Sequence, residues 1–307
     1  MSEKLDELNK LFTSKNPEDV MRFYDHFDNA EQLISWMKDR PSAPMRIFEQ
    51  KGKKDIVVVI PTANHNGKLA NNCKKIFKGL QIVFVESNGP FFNYARSCNL
   101  GLKYASNYKP KWLVLSNDDI QKTEKISVVR SKILALDPNK VKLAVPVQVV
   151  NNSIQRNEVY LVKSNKLSFI YYSLLSLKYL GIMRVFFFCR LSKRLKLNYL
   201  VGGKHNSNRF FFKKVFKFIL PSYFIIINSD FLKMKNLVFD ETFVNGEEDT
   251  DLVLRNLSGI YKMDLTVTNV GNGGNSLGVG KIRNLRNISN RTYLNYKIFS
   301  KNYFIKV

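Results

Sequence analysis

Four carboxylates, Glu247, Glu248, Asp249 and Asp251, fall within five residues of "VNGEEDTDLVLR" (244–255), and Asp118 and Asp119 are adjacent in "LSNDDI" (115–120). The chain has 49 Lys+Arg against 25 Asp+Glu, a formal charge of +24, so acids this concentrated stand out against a basic background. Carboxylates at the end of an apolar strand suit Mg²⁺ or Mn²⁺, which take oxygen ligands and share them with substrate phosphates. The competing reading of Asp118 and Asp119 is a helix N-cap before "IQKTEKI". In the second cluster Asp251 and Arg255 are four apart and can pair on one helix face. Glu248 and Asp249 are then left at a loop–helix junction as a general acid or base pair, or as a solvated acidic helix start.

Such residues need elements to place them. "DIVVVIPT" (55–62), "QIVFVES" (81–87), "KWLVLSND" (111–118) and "KLAVPVQVV" (142–150) are nearly continuous apolar runs, as expected of strands covered on both faces. Helix-like segments near 66–79, 91–107 and 123–136 alternate with them, which indicates a largely parallel α/β sheet. Ligands of such sheets sit beyond the strand C-termini. Pro61–Thr62, Glu86–Asn88 and Asn117–Asp119 therefore line one edge. Further strands are expected in "PSYFIIINSD" (221–230) and "GIYKMDLTVTNV" (259–270).

Outside this core, residues 1–50 read as a helical extension. Asn16 is an N-cap with Pro17 at the first helical position, and Asp28 with Glu31 has capping-box spacing. Residues 151–222 interrupt the alternation as a basic, aromatic-rich insertion. Between Glu158 and Asp230 there are 71 residues without an acid, with 13 Lys/Arg and 16 aromatics. Bulky apolar groups interleaved with cations suit a helix lying in an anionic membrane interface, or else a core with basic exposed faces. Residues 271–307 are a glycine-rich loop, a lid or a plain connection, and a basic tail. In that tail Lys281, Arg283, Arg286 and Arg291 could reach a diphosphate or form an ordinary helix face. The three cysteines form no CxxC pair, which fits a reducing compartment rather than a disulfide framework or zinc site. No secretory signal is recognisable, and no stretch has the ~18–20 uninterrupted apolar residues of a membrane span.

"VVVIPT", "VFVESN", "NYARSCNLGLKYA", "WLVLSNDDI" and "GEEDTDLVLR" occur in the order and approximate spacing of the family 2 glycosyltransferases, and over about residues 55–270 the chain resembles them. The resemblance implies a GT-A, Rossmann-like fold over residues 51–270: a mostly parallel mixed sheet flanked by helices. It further implies an inverting transfer of sugar from a UDP- or GDP-sugar to a glycan hydroxyl. Carried over by position, it makes Pro61, Thr62 and Asn88 donor-site residues, with Glu86 at the nucleotide base. Arg96 and Asn99 would lie near the donor, Asp118 at the ribose, sugar or metal, and Asp119 on a divalent cation. Asp249, with Glu248 beside it, matches the catalytic base. Two departures bear on the metal: Asn117 replaces the first acid of the DxD-type motif, and no His follows the acidic cluster, where Asn269 or Asn272 stands instead. His65, in the loop after the first strand, reads as loop polarity rather than catalysis.

The expected whole is a cytoplasmic enzyme, peripheral on the inner face of the membrane, that extends a lipid-linked glycan. Two rivals are a basic nucleic-acid-binding protein and a sugar nucleotidyltransferase. Against nucleic acid, the acids collect in the strand-end cleft, where they would repel a polyphosphate. Against the nucleotidyltransferase, the first strand lacks a glycine-rich, Arg- and Lys-containing loop.

Overall fold

The computed structural model describes residues 2–146, 149–150, 153–154, 157–162, 199–202, 212–218, 224–233, 238–256, 260–269 and 275–300. The chain opens with α1 (Ser2–Thr13), α2 (Pro17–Asp25) and α3 (Ala30–Asp39). The alternating region holds β1 (Arg46–Gln50), β2 (Lys53–Thr62), α4 (Lys68–Ile76), β3 (Leu80–Glu86), α5 (Tyr94–Ser106), β4 (Trp112–Ser116), β5 (Ile120–Thr123), α6 (Ile126–Leu134) and β6 (Leu143–Pro146). β7 (Val149–Val150) follows, and the insertion contributes β8 (Ser153–Ile154), β9 (Asn157–Val162), β10 (Tyr199–Gly202) and β11 (Phe212–Phe218). Then come β12 (Phe224–Asn228), α7 (Ser229–Lys233), α8 (Glu248–Arg255), β13 (Ile260–Met263), β14 (Val267–Asn269), a 3₁₀ turn (Asn275–Leu277) and α9 (Gly280–Ser300).

The main sheet has seven strands in the order β1-β3-β2-β4-β12-β6-β13. Five share one direction, while β1 and β12 run against them. Alternate residues of each central strand face opposite layers. Ile56, Val58 and Ile60 of β2 join Ala70, Phe77, Val129 and Ile133 from α4 and α6. Val57 and Val59 join Ala95, Cys98, Leu102, Phe231 and Leu252 from α5, α7 and α8. Coverage on both sides explains why these strands are unbroken apolar runs. On α5, Gly101 lets the helix approach β2 and β3 closely: a Cβ there would overlap Val59 Cγ1 and Val85 Cγ2.

A third apolar cluster joins the two ends of the chain. Phe12, Phe23, Leu33 and Trp36 from α1–α3 pack with Leu285, Ile288, Tyr293 and Leu294 of α9, and with Phe243 and Val244. The N-terminal helices and α9 of the basic tail therefore pack as one helical unit, a union for which the sequence carried no expectation. Residues 46–50, assigned to that extension, belong to the sheet instead, since β1 pairs with β3 from Arg46↔Glu86 to Gln50↔Ile82. Asn16 caps α2 as expected, accepting from the Glu18 amide. The cap of α3 is Asn29, with Gln32 Oε1 reaching back to the Asp28 amide at 2.8 Å, so the pair lies one residue on from Asp28 and Glu31.

Most of the expected 151–222 insertion, including the apolar–basic stretch 167–189, lies outside the described residues. No described helix is long and apolar enough to cross a membrane.

Candidate functional site

The C-terminal ends of β2, β3 and β4 present Thr62, Glu86 and the segment Asn117–Asp119 at one sheet edge. Thr62 Oγ1 donates to Asp118 Oδ2 at 2.6 Å, which ties the first strand end to the third. Pro61 is buried beneath this edge, whereas Asn88 is exposed and donates to the Ala63 carbonyl at 3.3 Å. Glu86 Oε2 accepts from the His65 backbone amide at 2.9 Å and lies 2.6 Å from His65 Nδ1. The His65 ring stacks on Phe48 of β1, with centroids 3.5 Å apart. Those His65 contacts hold the Glu86 carboxyl below its ordinary range.

Asp118 and Asp119 do not cap a helix. Ile120 begins β5, which pairs with β14, and α6 starts only after Lys125, which makes no side-chain cap bond. That removes the N-cap alternative, because the amides following the two acids are engaged in a strand. Burial raises the Asp118 carboxyl above its usual value against the Thr62 hydrogen bond. Asp119 is raised by burial and then by Asp118. Both Asp119 carboxylate oxygens are buried and meet no hydrogen-bond donor.

A buried carboxylate that meets no protein donor is satisfied by a proton, a cation or an ordered water. Asp119, with Asp118 beside it, therefore fits a divalent cation. Among the described residues no three His, Cys, Asp or Glu side chains are grouped as a metal site. These two acids would supply the protein's share, and ligand oxygens the rest. Asn269, one of two stand-ins for the absent His, lies opposite Ile120 in the β14–β5 ladder, one residue from Asp119. Asn272 lies outside the described residues.

The second acidic cluster reaches the same edge through Tyr94. Its hydroxyl donates to Asn117 Oδ1 at 2.8 Å, and its amide donates to Asn245 Oδ1 at 2.7 Å. Burial is the main cause of a Tyr94 pKa well above the phenol range, with Cys98, Glu248 and Asp249 adding to it. Glu248 is buried, and its Oε2 has no hydrogen-bond partner. Burial and then Asp249 push its carboxyl far above the carboxylate range. Asp249 is pushed up by burial and then by Glu247, while its Oδ1 accepts from the Thr250 amide at 2.8 Å. The loop entering α8 is strained, with Asn245 at φ 53° and Glu247 at φ 67°. Such angles are uncommon for residues with a Cβ and persist where the surroundings hold them.

The structure thus brings Thr62, Glu86, Asp118 and Asp119 together at the edge and couples Glu248 and Asp249 to them through Tyr94. It does not bring Arg96 and Asn99 to bear in the same way. The Asn99 amide is fully committed: Nδ2 donates to Phe239 O and Glu241 Oε1, and Oδ1 accepts from the Phe239 amide. Arg96 lies 3.5 Å from Glu241 Oε2 and donates to Ser42 Oγ. Both brace the 239–241 segment against α5, and Asn99 keeps no spare hydrogen-bonding atom for a donor. Arg286 likewise serves the fold, donating to Phe12 O, Ser14 O and Leu277 O. Lys281 faces Glu18 at 3.6 Å, and Arg291 faces Glu247 at 3.6 Å.

Sequence reasoning missed two participants. Tyr94 directly follows the α5 cap Asn93, and an aromatic at that position carries no signal of its own. Arg40 is buried, donates to Met37 O and Phe243 O, and interacts electrostatically with Glu248. Burial, then Arg96, lowers its pKa to about 10. Cys73 and Cys98 are free and buried, as expected of unreactive thiols; burial pushes Cys73 up to about 12. No protein-family model matches the sequence, and no curated protein is significantly similar to it.

Proposed function

We propose that the chain is an inverting glycosyltransferase of GT-A type that moves a sugar from a nucleotide-sugar donor to a hydroxyl of a glycan acceptor. The observation that carries this reading is the meeting of two carboxylate clusters at one sheet edge, joined by Tyr94. One cluster holds buried, donor-free oxygens suited to a cation, and the other holds carboxyls raised by burial. The two duties of such a reaction, charge neutralisation and proton removal, then belong to separate residues.

Asp249 acts as the base. In its ionised form it takes the proton of the acceptor hydroxyl as that oxygen bonds to the anomeric carbon. The bond from this carbon to the donor diphosphate breaks on the opposite side, so the configuration inverts. A carboxyl with a raised pKa is a stronger base once ionised, which suits it to a weakly acidic hydroxyl. Burial biases neighbouring Glu248 toward its protonated form, which lessens the repulsion within the pair. Thr62 orients Asp118, and Tyr94 orients Asn117. A divalent cation on Asp118 and Asp119 would supply neutralisation of the departing nucleoside diphosphate. The acceptor we favour is lipid-linked, in the synthesis of a surface glycan.

The test is a thermal-shift panel of UDP- and GDP-sugars with Mg²⁺, Mn²⁺ or EDTA. At about 100 times its dissociation constant a donor stabilises the fold by about 2.7 kcal/mol. A metal-dependent shift with one donor is expected. No shift with any donor, beside a clear shift with single-stranded nucleic acid, would overturn the reading.

A further inference from the structure

We propose that the outer face formed by α4, β5 and α6 docks on an anionic lipid surface. This gives the expected peripheral association a particular face and does not depend on the sugar-transfer chemistry. Lys68, Asn71, Lys75 and Lys78 recur at i, i+3, i+7 and i+10 and are all exposed, so they make one solvent stripe along α4 and just past its end. From Ala63 to Val85 there are no acids in 23 residues. The Asn72 side chain donates to the Ile120 carbonyl at 2.8 Å and fastens α4 to β5, where Lys122 and Lys125 are exposed. None of these five lysines has an ion-pair partner among the described residues. The acids nearest α6 are already taken, Glu124 by Lys132 at 2.9 Å and Asp55 by Arg130.

Charge alone would also suit nucleic acid. Two further observations select a lipid surface. The same two helices expose Leu69 (42%) and Val128 (40%), two of only four large apolar side chains exposed among the described residues. Lysines around isolated aliphatic groups match a headgroup layer, where cations meet phosphates and the apolar groups reach the acyl boundary. The basic insertion also begins on this side: β7, immediately before it, lies against β14, which pairs with β5. The acid-rich helices α1–α3, with nine acids in residues 1–44, adjoin the other side through Phe243 and the start of α5. The α4–α6 side thus presents its lysines without interleaved acids on α4, whereas the other side mixes the acids of α1–α3 with the cations of α9.

The experiment is co-sedimentation of the full chain with vesicles of phosphatidylcholine alone and with added phosphatidylglycerol. Binding is expected only with the anionic lipid. Each basic side chain near such a surface contributes about fivefold, so Lys68→Gln/Lys75→Gln/Lys122→Gln should weaken partitioning by roughly 100-fold. The charge-matched control Lys51→Gln/Lys103→Gln/Lys111→Gln, exposed elsewhere on the domain, should leave it nearly unchanged. Leu69→Ser/Val128→Ser should weaken vesicle binding without altering retention on a cation exchanger.

Equal loss in both lysine variants, or no loss in the α4–β5 variant, would overturn the assignment of the face. Absence from anionic vesicles together with tight binding of a single-stranded oligonucleotide would replace the lipid by nucleic acid. Asp249→Asn should sediment like the parent, so failure of the catalytic reading and failure of this one are read separately.

Discussion

At Glu248 a carboxyl group is buried with one oxygen that meets no donor, so ionising it costs the fold free energy. Between the ordinary glutamate range and its raised folded value, the folded chain holds a proton that the unfolded chain has released. Stability therefore falls as pH rises through that window. Glu248→Gln should be more stable than the parent at alkaline pH, with the advantage vanishing at acid pH, where both side chains are neutral. Urea unfolding at stepped pH measures this, and superimposed pH curves would contradict it. Asp249→Asn should lower sugar transfer by about 10²–10⁴-fold while leaving any donor-induced thermal shift intact; near-normal turnover would remove Asp249 as the base. The acids themselves were visible in sequence, because they interrupt a basic background and end apolar runs. Tyr94 and Arg40 were not, since each owes its role to partners more than 20 residues away, Asn117 for one and Phe243 for the other. Asn99 shows the converse: its sequence setting suggested a donor contact, yet its amide is used by a segment 140 residues on.

Among the elements, α9 does most to fix the acidic loop. Asn290 donates to Val244 O and accepts from the Val244 amide, at 2.8 and 2.7 Å. Two turns on, buried Lys297 bridges Asp240 and Asp251, each at 2.7 Å, while Arg255 takes the other Asp251 oxygen at 2.8 Å. The Asp251–Arg255 pair was readable from its four-residue spacing, whereas Lys297 comes from a distant helix. Lys297→Met would leave Asp240 without its cation and Asp251 with Arg255 alone, and should destabilise the chain by about 3 kcal/mol at neutral pH. Burial would raise the Asp240 carboxyl, but Lys297 and the Tyr293 hydroxyl outweigh it and hold the pKa at about 2. That stabilisation is present above the ordinary aspartate value and is lost as pH falls toward 2, so the deficit of the variant should narrow in acid. Chemical denaturation across that range reads both effects. A second test at this scale is Gly101→Ala, which should cost about 1–3 kcal/mol through overlap with Val59 and Val85, measured as a lower unfolding midpoint. The central strands were legible because both faces are buried. β1 was not, because "RIFEQ" is half exposed and paired on one edge only. β5 was obscured by Asp118 and Asp119, which resemble a helix start.

Over the whole molecule, the helical unit and the sheet are held together by buried polar contacts. The Phe243 carbonyl accepts from Arg40, at the end of α3, at 2.9 Å and from Asn93, the cap of α5, at 3.4 Å. The two tryptophans divide between the parts, Trp36 in the helical cluster and Trp112 in the sheet. Single-tryptophan variants should each unfold with the same midpoint by fluorescence as by circular dichroism; an earlier Trp36 transition would mean that the helices detach on their own. The α/β class could be read locally, from strands and helices that alternate within short stretches. The union of the chain ends could not, because amphipathic helices do not declare their partners. That union makes the order of synthesis matter. Tyr24 donates to the carbonyl of Leu285, 261 residues later, at 2.5 Å. At translation rates of about 5–20 residues per second, α1–α3 wait roughly 10–50 s for α9 to emerge. Until then their apolar faces lack the α9 half of their cluster, and the acidic loop lacks Asn290 and Lys297. A nascent chain can complete much of its sheet on the ribosome, but the loop bearing Asp249 is shaped only once α9 is free, so products truncated before α9 should lack the proposed transfer.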